Sequence, residues 1–182
     1  MKTVRITLLV TFLAAIPLTV LAQSDSDDAA SSRATVESLK GLHLLTISNI
    51  IRTAEMLDDS LYAFRPTDDV RSAGEILAHV ADGQYLFCSA AAGEENPSKQ
   101  SFEETVTSKE EIVAALQAAS DYCSGIYDSL TDVEGAELRS LFGRDLAVSA
   151  ILAFNSTHNY EHYGNLVTYM RINGIIPPSS QQ

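Results

Sequence analysis

Apolar residues recur three and four positions apart along most of the chain, and four such stripes stand out. The first runs from Arg33 to about Leu61 through Val36, Leu39, Ile47, Ile50, Ala54, Leu57 and Leu61, the period of an amphipathic helix. Asp58-Asp59-Ser60 closes it, and Arg65-Pro66-Thr67-Asp68-Asp69 reads as a loop because proline and turn formers cluster there. A second helix is predicted from Ser72, an N-cap that forms a capping box with Glu75, to about Ala92, with Gly93 as its stop. Residues 94–107 are a long connection for two antiparallel helices, and long enough to cross the bundle, so the second and third helices can run parallel. Ser108 and Glu111 repeat the capping box, and Ile112, Leu116, Ala119, Cys123, Ile126 and Leu130 form the third stripe. Residues 131–144 hold two glycines and no period, and read as a loop. Asp145 is the expected cap of a last helix through Leu146, Ile151, Phe154, Leu166, Tyr169 and Ile172, stopped by Asn173-Gly174 and Pro177-Pro178. No strand-length alternation and no internal repeat stands out. An all-α four-helix bundle is the simplest packing that buries four stripes.

The first residues have a different pattern. Lys2 and Arg5 precede an uncharged apolar run, Ile6 to Val20, and Val20-Leu21-Ala22 places small side chains before Gln23. This is the pattern of a cleaved secretory signal, and the run is shorter than the roughly 20 residues of a spanning helix. The expected organisation is a signal peptide over 1–22, a disordered acidic leader over 23–32, the bundle over 33–178 and a short tail over 179–182. The chain is then periplasmic or secreted, with no stable membrane anchor after cleavage. In an oxidising compartment Cys88 and Cys123 can form a disulfide.

Composition narrows the function. With 12 Lys+Arg against 24 Asp+Glu, the formal net charge is −12. Such a chain repels a phosphate backbone, so nucleic acid is not an expected partner. Two cysteines exclude both a disulfide-dense scaffold and a four-cysteine zinc site. Asn155-Ser156-Thr157 matches a glycosylation sequon, but inside a packed helix it reads as coincidence.

The chemistry rests with four histidines: His43, His79, His158 and His162. His158 and His162 are four apart, one helical turn with an offset of roughly 40°, so both rings can reach one ion. Asn159 stands where a zinc protease would have its glutamate, which argues against that activity. His79, on the inward side of the second helix beside Ile76 and Gly83, is the leading third ligand; a core histidine bonded to a carboxylate or carbonyl is the alternative.

Gly74-Glu75-Ile76-Leu77-Ala78-His79, followed far downstream by the block from His158-x-x-x-His162-Tyr163-Gly164-Asn165 through Tyr169-Met170-Arg171-Ile172-Asn173-Gly174 to Pro177-Pro178, resembles the DinB-like (YfiT-like) metalloenzyme superfamily. The resemblance spans about Arg33 to Pro178. It implies an up-down-down-up four-helix bundle, and a divalent metal carried over to His79, His158 and His162. It also implies homodimers, and activities that include thiol-cofactor-dependent transferases and isomerases. An export signal is a departure from the usual member, and low-molecular-weight thiol cofactors are mainly cytosolic.

Three neutral imidazoles leave positions open on an ion for water or substrate, and zinc and nickel both suit them. The expected function is therefore metal-dependent hydrolase or transferase chemistry on a small molecule. The alternatives are a non-catalytic metal or ligand binder using the same site and a structural helical domain. Glu75 and Asp82 flank His79 and could orient it, although a capping Glu and a solvated Asp are the simpler reading. Asn155, Asn165 and Glu161 flank the other two and could touch a ligand or accept a proton. His43, between Leu39 and Ile47 on the first stripe, reads as a core residue or pocket wall, with a fourth ligand as the alternative. Cys88 lies nine residues after His79 and so on the opposite side of that helix, a poor ligand for the same ion.

Overall fold

Each predicted stripe forms a helix in the computed structural model, which describes residues 32–181. These are α1 (Ala34–Met56), α2 (Ala73–Ala92), α3 (Lys109–Ser129) and α4 (Val148–Ile172). The expected signal peptide lies outside the described residues, as does the leader except for Ser32, whose hydroxyl donates to Asp132. Among the described residues no helix is long and apolar enough to cross a membrane.

The helix starts follow the caps. Ser72 Oγ accepts the Glu75 N–H at 3.2 Å and the Glu75 carboxylate accepts the Ser72 N–H at 2.7 Å, which satisfies two otherwise unpaired donors. Ser108 accepts from the Glu111 N–H in the same way. α1 lacks a side-chain cap of its own; the Asp132 carboxylate, about a hundred residues on, accepts the N–H groups of Thr35 and Val36 at 3.0 Å. α1 stops earlier than the apolar stripe suggests. The chain turns extended at Leu57 and restarts as one turn, Asp59–Tyr62, because Asp58-Asp59-Ser60 favours caps and turns over helix interior.

The stretch between α3 and α4 departs from expectation. It holds a capped helical turn, Asp132–Gly135, and an antiparallel hairpin, β1 (Leu138–Leu141) with β2 (Arg144–Ala147). Strands of four residues with only Leu141 buried are too short for a period-two signal. Asp145 is not the cap of α4: it sits in β2 opposite Ser140, and the N-cap position belongs to Ala147, with no side-chain bond.

Contacts between helices set their directions. Lys40 pairs with Asp128 and Gln117 bonds Glu55, so α1 and α3 are antiparallel. Val36 shares one apolar cluster with Val148, and Ile50 shares the other with Leu166 and Met170, so α1 and α4 run together. Asn155 meets Gln84 while Tyr169 reaches the Arg71 carbonyl, so α4 opposes α2. The course is up-down-down-up, with the long connection crossing between the parallel α2 and α3. α1 and α2 stand on a diagonal, each packed on α3 and α4.

The interior has two apolar clusters separated by a polar layer. One cluster includes Ile47, Leu77, Leu116 and Leu166; the other includes Val36, Phe87, Tyr127 and Leu152. Between them, all four helices contribute buried polar residues: His43 and Thr46, Gln84, Ser120, and Asn155 with Asn159. Gln84 Nε2 donates to Asn155 Oδ1 at 2.9 Å and Asn159 Oδ1 at 2.7 Å, and Asn159 Nδ2 donates to Thr46 Oγ1 at 3.1 Å. Gln84, Asn155, Asn159 and Thr46 are tolerated at this depth because they pair, whereas neither ring nitrogen of His43 has a hydrogen-bond partner. The layer also fixes the rotation of α4, since turning Asn155 and Asn159 inward aims other positions of that helix elsewhere.

His43 is fully buried in this layer and stacks on Tyr127 with ring centroids 4.9 Å apart. Burial lowers its pKa from 6.5 to about 4. Between those values the unfolded chain binds the proton that the folded chain refuses, so stability is full above the unfolded pKa and falls as pH drops toward 4. His43→Phe is expected to remove up to ~3 kcal/mol of that acid-side loss. Urea unfolding of both proteins between pH 7 and 4 measures it; parallel pH profiles would contradict it.

Candidate metal centre

α2 supplies His79 and α4 supplies His158 and His162, one turn apart on the side that faces α2. The helices approach closely at Gly83, where a β-carbon would lie 2.6 Å from His158 Cε1. His158 Nε2 lies 3.2 Å from His79 Nε2 and 3.1 Å from His162 Nε2. The three histidines form a group whose ligand atoms all lie within 4.8 Å of one another. His79 and His158 are partly buried and His162 is buried.

Burial first, and the neighbouring imidazoles next, push His158 down to about 3 and His162 down to about 4. Both rings are therefore neutral at pH 7. The Nδ1 atoms of His158 and His162 are buried without a hydrogen-bond partner. Nε2 atoms gathered this tightly cannot all satisfy one another, because two facing lone pairs repel. A cation at their common focus satisfies all three. Tetrahedral ligation at about 2.0–2.1 Å separates ligand nitrogens by about 3.3 Å, close to the two separations observed. These residues fit a divalent ion, and could hold one.

The connection between α2 and α3 adds a residue that the sequence pattern did not single out. Its helical turn, Phe102–Thr105, is held by Asp82 of α2, whose carboxylate accepts the N–H groups of Phe102 at 2.8 Å and Glu103 at 3.0 Å. Glu103 Oε2 thereby comes within 2.9 Å of His79 Nδ1, while Oε1 accepts from Arg71 at 2.6 Å. Partial burial pushes the Glu103 carboxyl up, but its bonds to Arg71 and His79 outweigh this and hold it below the usual range. An ionised carboxylate only accepts, so His79 donates from Nδ1 and keeps its lone pair at Nε2, toward the other two rings. Such an outer carboxylate is worth 10–100-fold in metal affinity. Glu103→Ala is expected to lose that much, and Glu103→Gln less, in a competition titration with a chromophoric chelator. Equal affinities for wild type and Glu103→Ala would show that the carboxylate does not orient His79.

The other residues considered from sequence take different places. Asp82 acts on the site through Glu103. Glu75 completes the cap of α2 and pairs with Arg65 at 2.9 Å, away from the imidazoles. Asn155 is turned into the core, bonded to Gln84, with its amide nitrogen 3.5 Å and 3.6 Å from the two cysteine sulfurs. Glu161 and Asn165 are exposed; burial lowers the His162 pKa, and Glu161 acts on that ring only as a nearby charge that raises it. His43 lies in the polar layer and is not one of the three converging rings. Cys88 and Cys123 are joined in a disulfide that ties α2 to α3. Glu103 escaped notice because it lies 24 residues from His79 in an acid-rich stretch without a helical period, where a solvated surface is the natural reading.

Comparisons with known proteins agree with this picture. The profile of the DinB superfamily matches residues 44–166. The protein YjoA of Bacillus subtilis is 27% identical over 134 residues, covering 71% of this chain and 85% of YjoA. The crystal structure of that DinB-like protein superposes with a TM-score of 0.65 at 23% identity, covering 80% of this chain and 98% of its own. YfiT from Bacillus subtilis, described as a probable metal-dependent hydrolase with an unusual four-helix bundle topology, superposes with a TM-score of 0.59 at 13% identity over 89% of this chain and 95% of its own. A mycothiol-dependent maleylpyruvate isomerase shares the fold with a TM-score of 0.60 at 17% identity, over 72% of this chain and 60% of its own.

Proposed function

We propose that this chain, which belongs to the DinB superfamily, is an exported metalloprotein holding a divalent cation on His79, His158 and His162 and acting on a small molecule by metal-dependent hydrolysis or group transfer. The observation that carries this reading is the approach of three Nε2 atoms from two helices, two separations being 3.1 and 3.2 Å. Zinc and nickel both suit such a set. A bound ion would supply Lewis acidity, polarising a substrate oxygen or lowering the pKa of water.

The chain's own residues prepare the place for it. Burial keeps His158 and His162 neutral, Glu103 fixes the His79 ring, and Gly83 lets α2 and α4 close together. Arg71, half-exposed beside Glu103, puts a positive charge next to the site, where an anionic group of a substrate is favoured. The disulfide between Cys88 and Cys123 supports an oxidising compartment and hence export. It favours hydrolysis over dependence on a cytosolic thiol.

A substrate screen tests the reading. The metal-loaded chain is offered ester, amide, phosphoester and thiol-transfer substrates, with and without chelator, beside the triple variant H79A/H158A/H162A. Turnover in at least one class is expected in the loaded wild type alone. Turnover that survives both chelation and the triple substitution would overturn the metal-dependent reading. Stoichiometric metal with no turnover in any class would put a non-catalytic binding module in its place.

A further inference from the structure

The two flanks of the histidine cluster differ in chemistry. On the side of the α2–α3 connection stand Glu103 and Arg71. On the side of the β1–β2 hairpin, three phenylalanines meet. Phe87 of α2 lies with its ring centroid 5.2 Å from that of His158. Phe154, one turn before His158 on α4, is 5.3 Å from Phe87. Phe142, at the hairpin tip, is 6.2 Å from Phe87 and 6.4 Å from Phe154. All these ring pairs meet edge to face, the geometry aromatic groups prefer. Phe87 is covered, at 2% exposed, whereas Phe154 is 47% and Phe142 67% exposed.

The backbone at the tip adds an independent observation. Phe142 takes φ 52° and Gly143 takes φ 72°, the left-handed conformation of a two-residue hairpin turn. Asn or Asp followed by Gly suits such a turn, and a bulky residue in the first place is strained. Turn formation alone therefore does not account for an aromatic residue here, and neither does burial, since two-thirds of it is open. Strain held by the surrounding structure is concentrated at functional sites.

We propose that Phe87, Phe142 and Phe154 form an apolar subsite beside the metal centre, taking the aryl or branched alkyl group of a small molecule whose polar head binds at the three histidines. This rests on the metal-binding reading above and adds a substrate class to it. Phe87 backs the two open rings and packs against His158, so the patch adjoins one of the three imidazoles. Two open rings are also far too little surface for a protein partner, which needs about 800 Å² on each side.

The test uses cobalt-loaded protein and two probes with the same chelating head, acetohydroxamate and benzohydroxamate, followed by the cobalt visible spectrum. Benzohydroxamate is expected to bind at least about tenfold more tightly to wild type, a preference of the size that burying one ring against apolar neighbours supplies. Phe142→Asn and Phe154→Ala are each expected to remove most of that preference while leaving cobalt and acetohydroxamate affinities unchanged. Phe142→Asn puts a favoured residue in the turn, so its thermal midpoint should hold or rise. Equal affinities for the two probes in wild type, or a preference that survives both substitutions, would overturn the subsite alone. Self-association that Phe142→Asn abolishes would also overturn it, by giving the patch to a second copy. Failure to load cobalt at all would overturn the metal centre and the subsite with it.

Discussion

Gly83→Ala is expected to abolish tight divalent-ion binding at the proposed three-histidine centre without altering a ligand. The added β-carbon would stand 2.6 Å from His158 Cε1 and 3.0 Å from His158 Nδ1, where carbon atoms in contact normally keep about 3.5–4.0 Å. The imidazole has little room to retreat, because Phe87 lies against it on one side and His162 on another. Either the ring swings out of the cluster or α2 and α4 move apart, and both separate the three Nε2 atoms. We expect at least a hundredfold loss of metal affinity, and about 1–3 kcal/mol of destabilisation from overpacking. Gly125→Ala is the control: nothing lies within 4 Å of its β-carbon position on α3, so alanine there should stabilise by roughly 0.5–1 kcal/mol. Chelator competition and urea unfolding measure both variants. Unchanged metal affinity in Gly83→Ala would mean that His158 does not need its present position.

The second large effect belongs to the disulfide. Cys88 and Cys123 are 35 residues apart, and closing a loop of that length restricts the unfolded chain by about 4 kcal/mol in the chain-entropy description. The double variant C88S/C123S is expected to unfold about 3–4 kcal/mol more readily than the oxidised chain. The closed loop includes the whole α2–α3 connection and therefore Glu103, so the bridge also limits how far that segment strays when the bundle opens. A difference below about 1 kcal/mol in urea unfolding would show that the bridge contributes little beyond its packing.

Much of the frame was legible in the sequence because its signals are local. A capping box needs residues only three apart, as Ser72 with Glu75 and Ser108 with Glu111. A helical metal pair needs two histidines four apart. The length of residues 94–107 was enough to suggest parallel α2 and α3. What escaped depends on distant partners. Asp132 caps a helix about a hundred residues earlier in the chain, and nothing near α1 announces it. Asn155 lies three before His158, near enough in register to be read as facing the site, and Gln84 of another helix turns it inward instead. Glu103 reaches His79 only because Asp82 anchors a short turn that has no period of its own. The hairpin buries only Leu141 of its eight strand residues, too few to write an alternating pattern, yet it delivers Phe142 to the side of the site.

Elemental analysis of the native protein, purified without a histidine tag, decides whether the three imidazoles hold an ion. About one zinc or nickel ion per chain is expected, lost in H79A, H158A and H162A alike while each variant keeps its helical circular dichroism. A native protein that carries no divalent ion and takes none up from solution, or a triple variant that still retains one ion per chain, would contradict it.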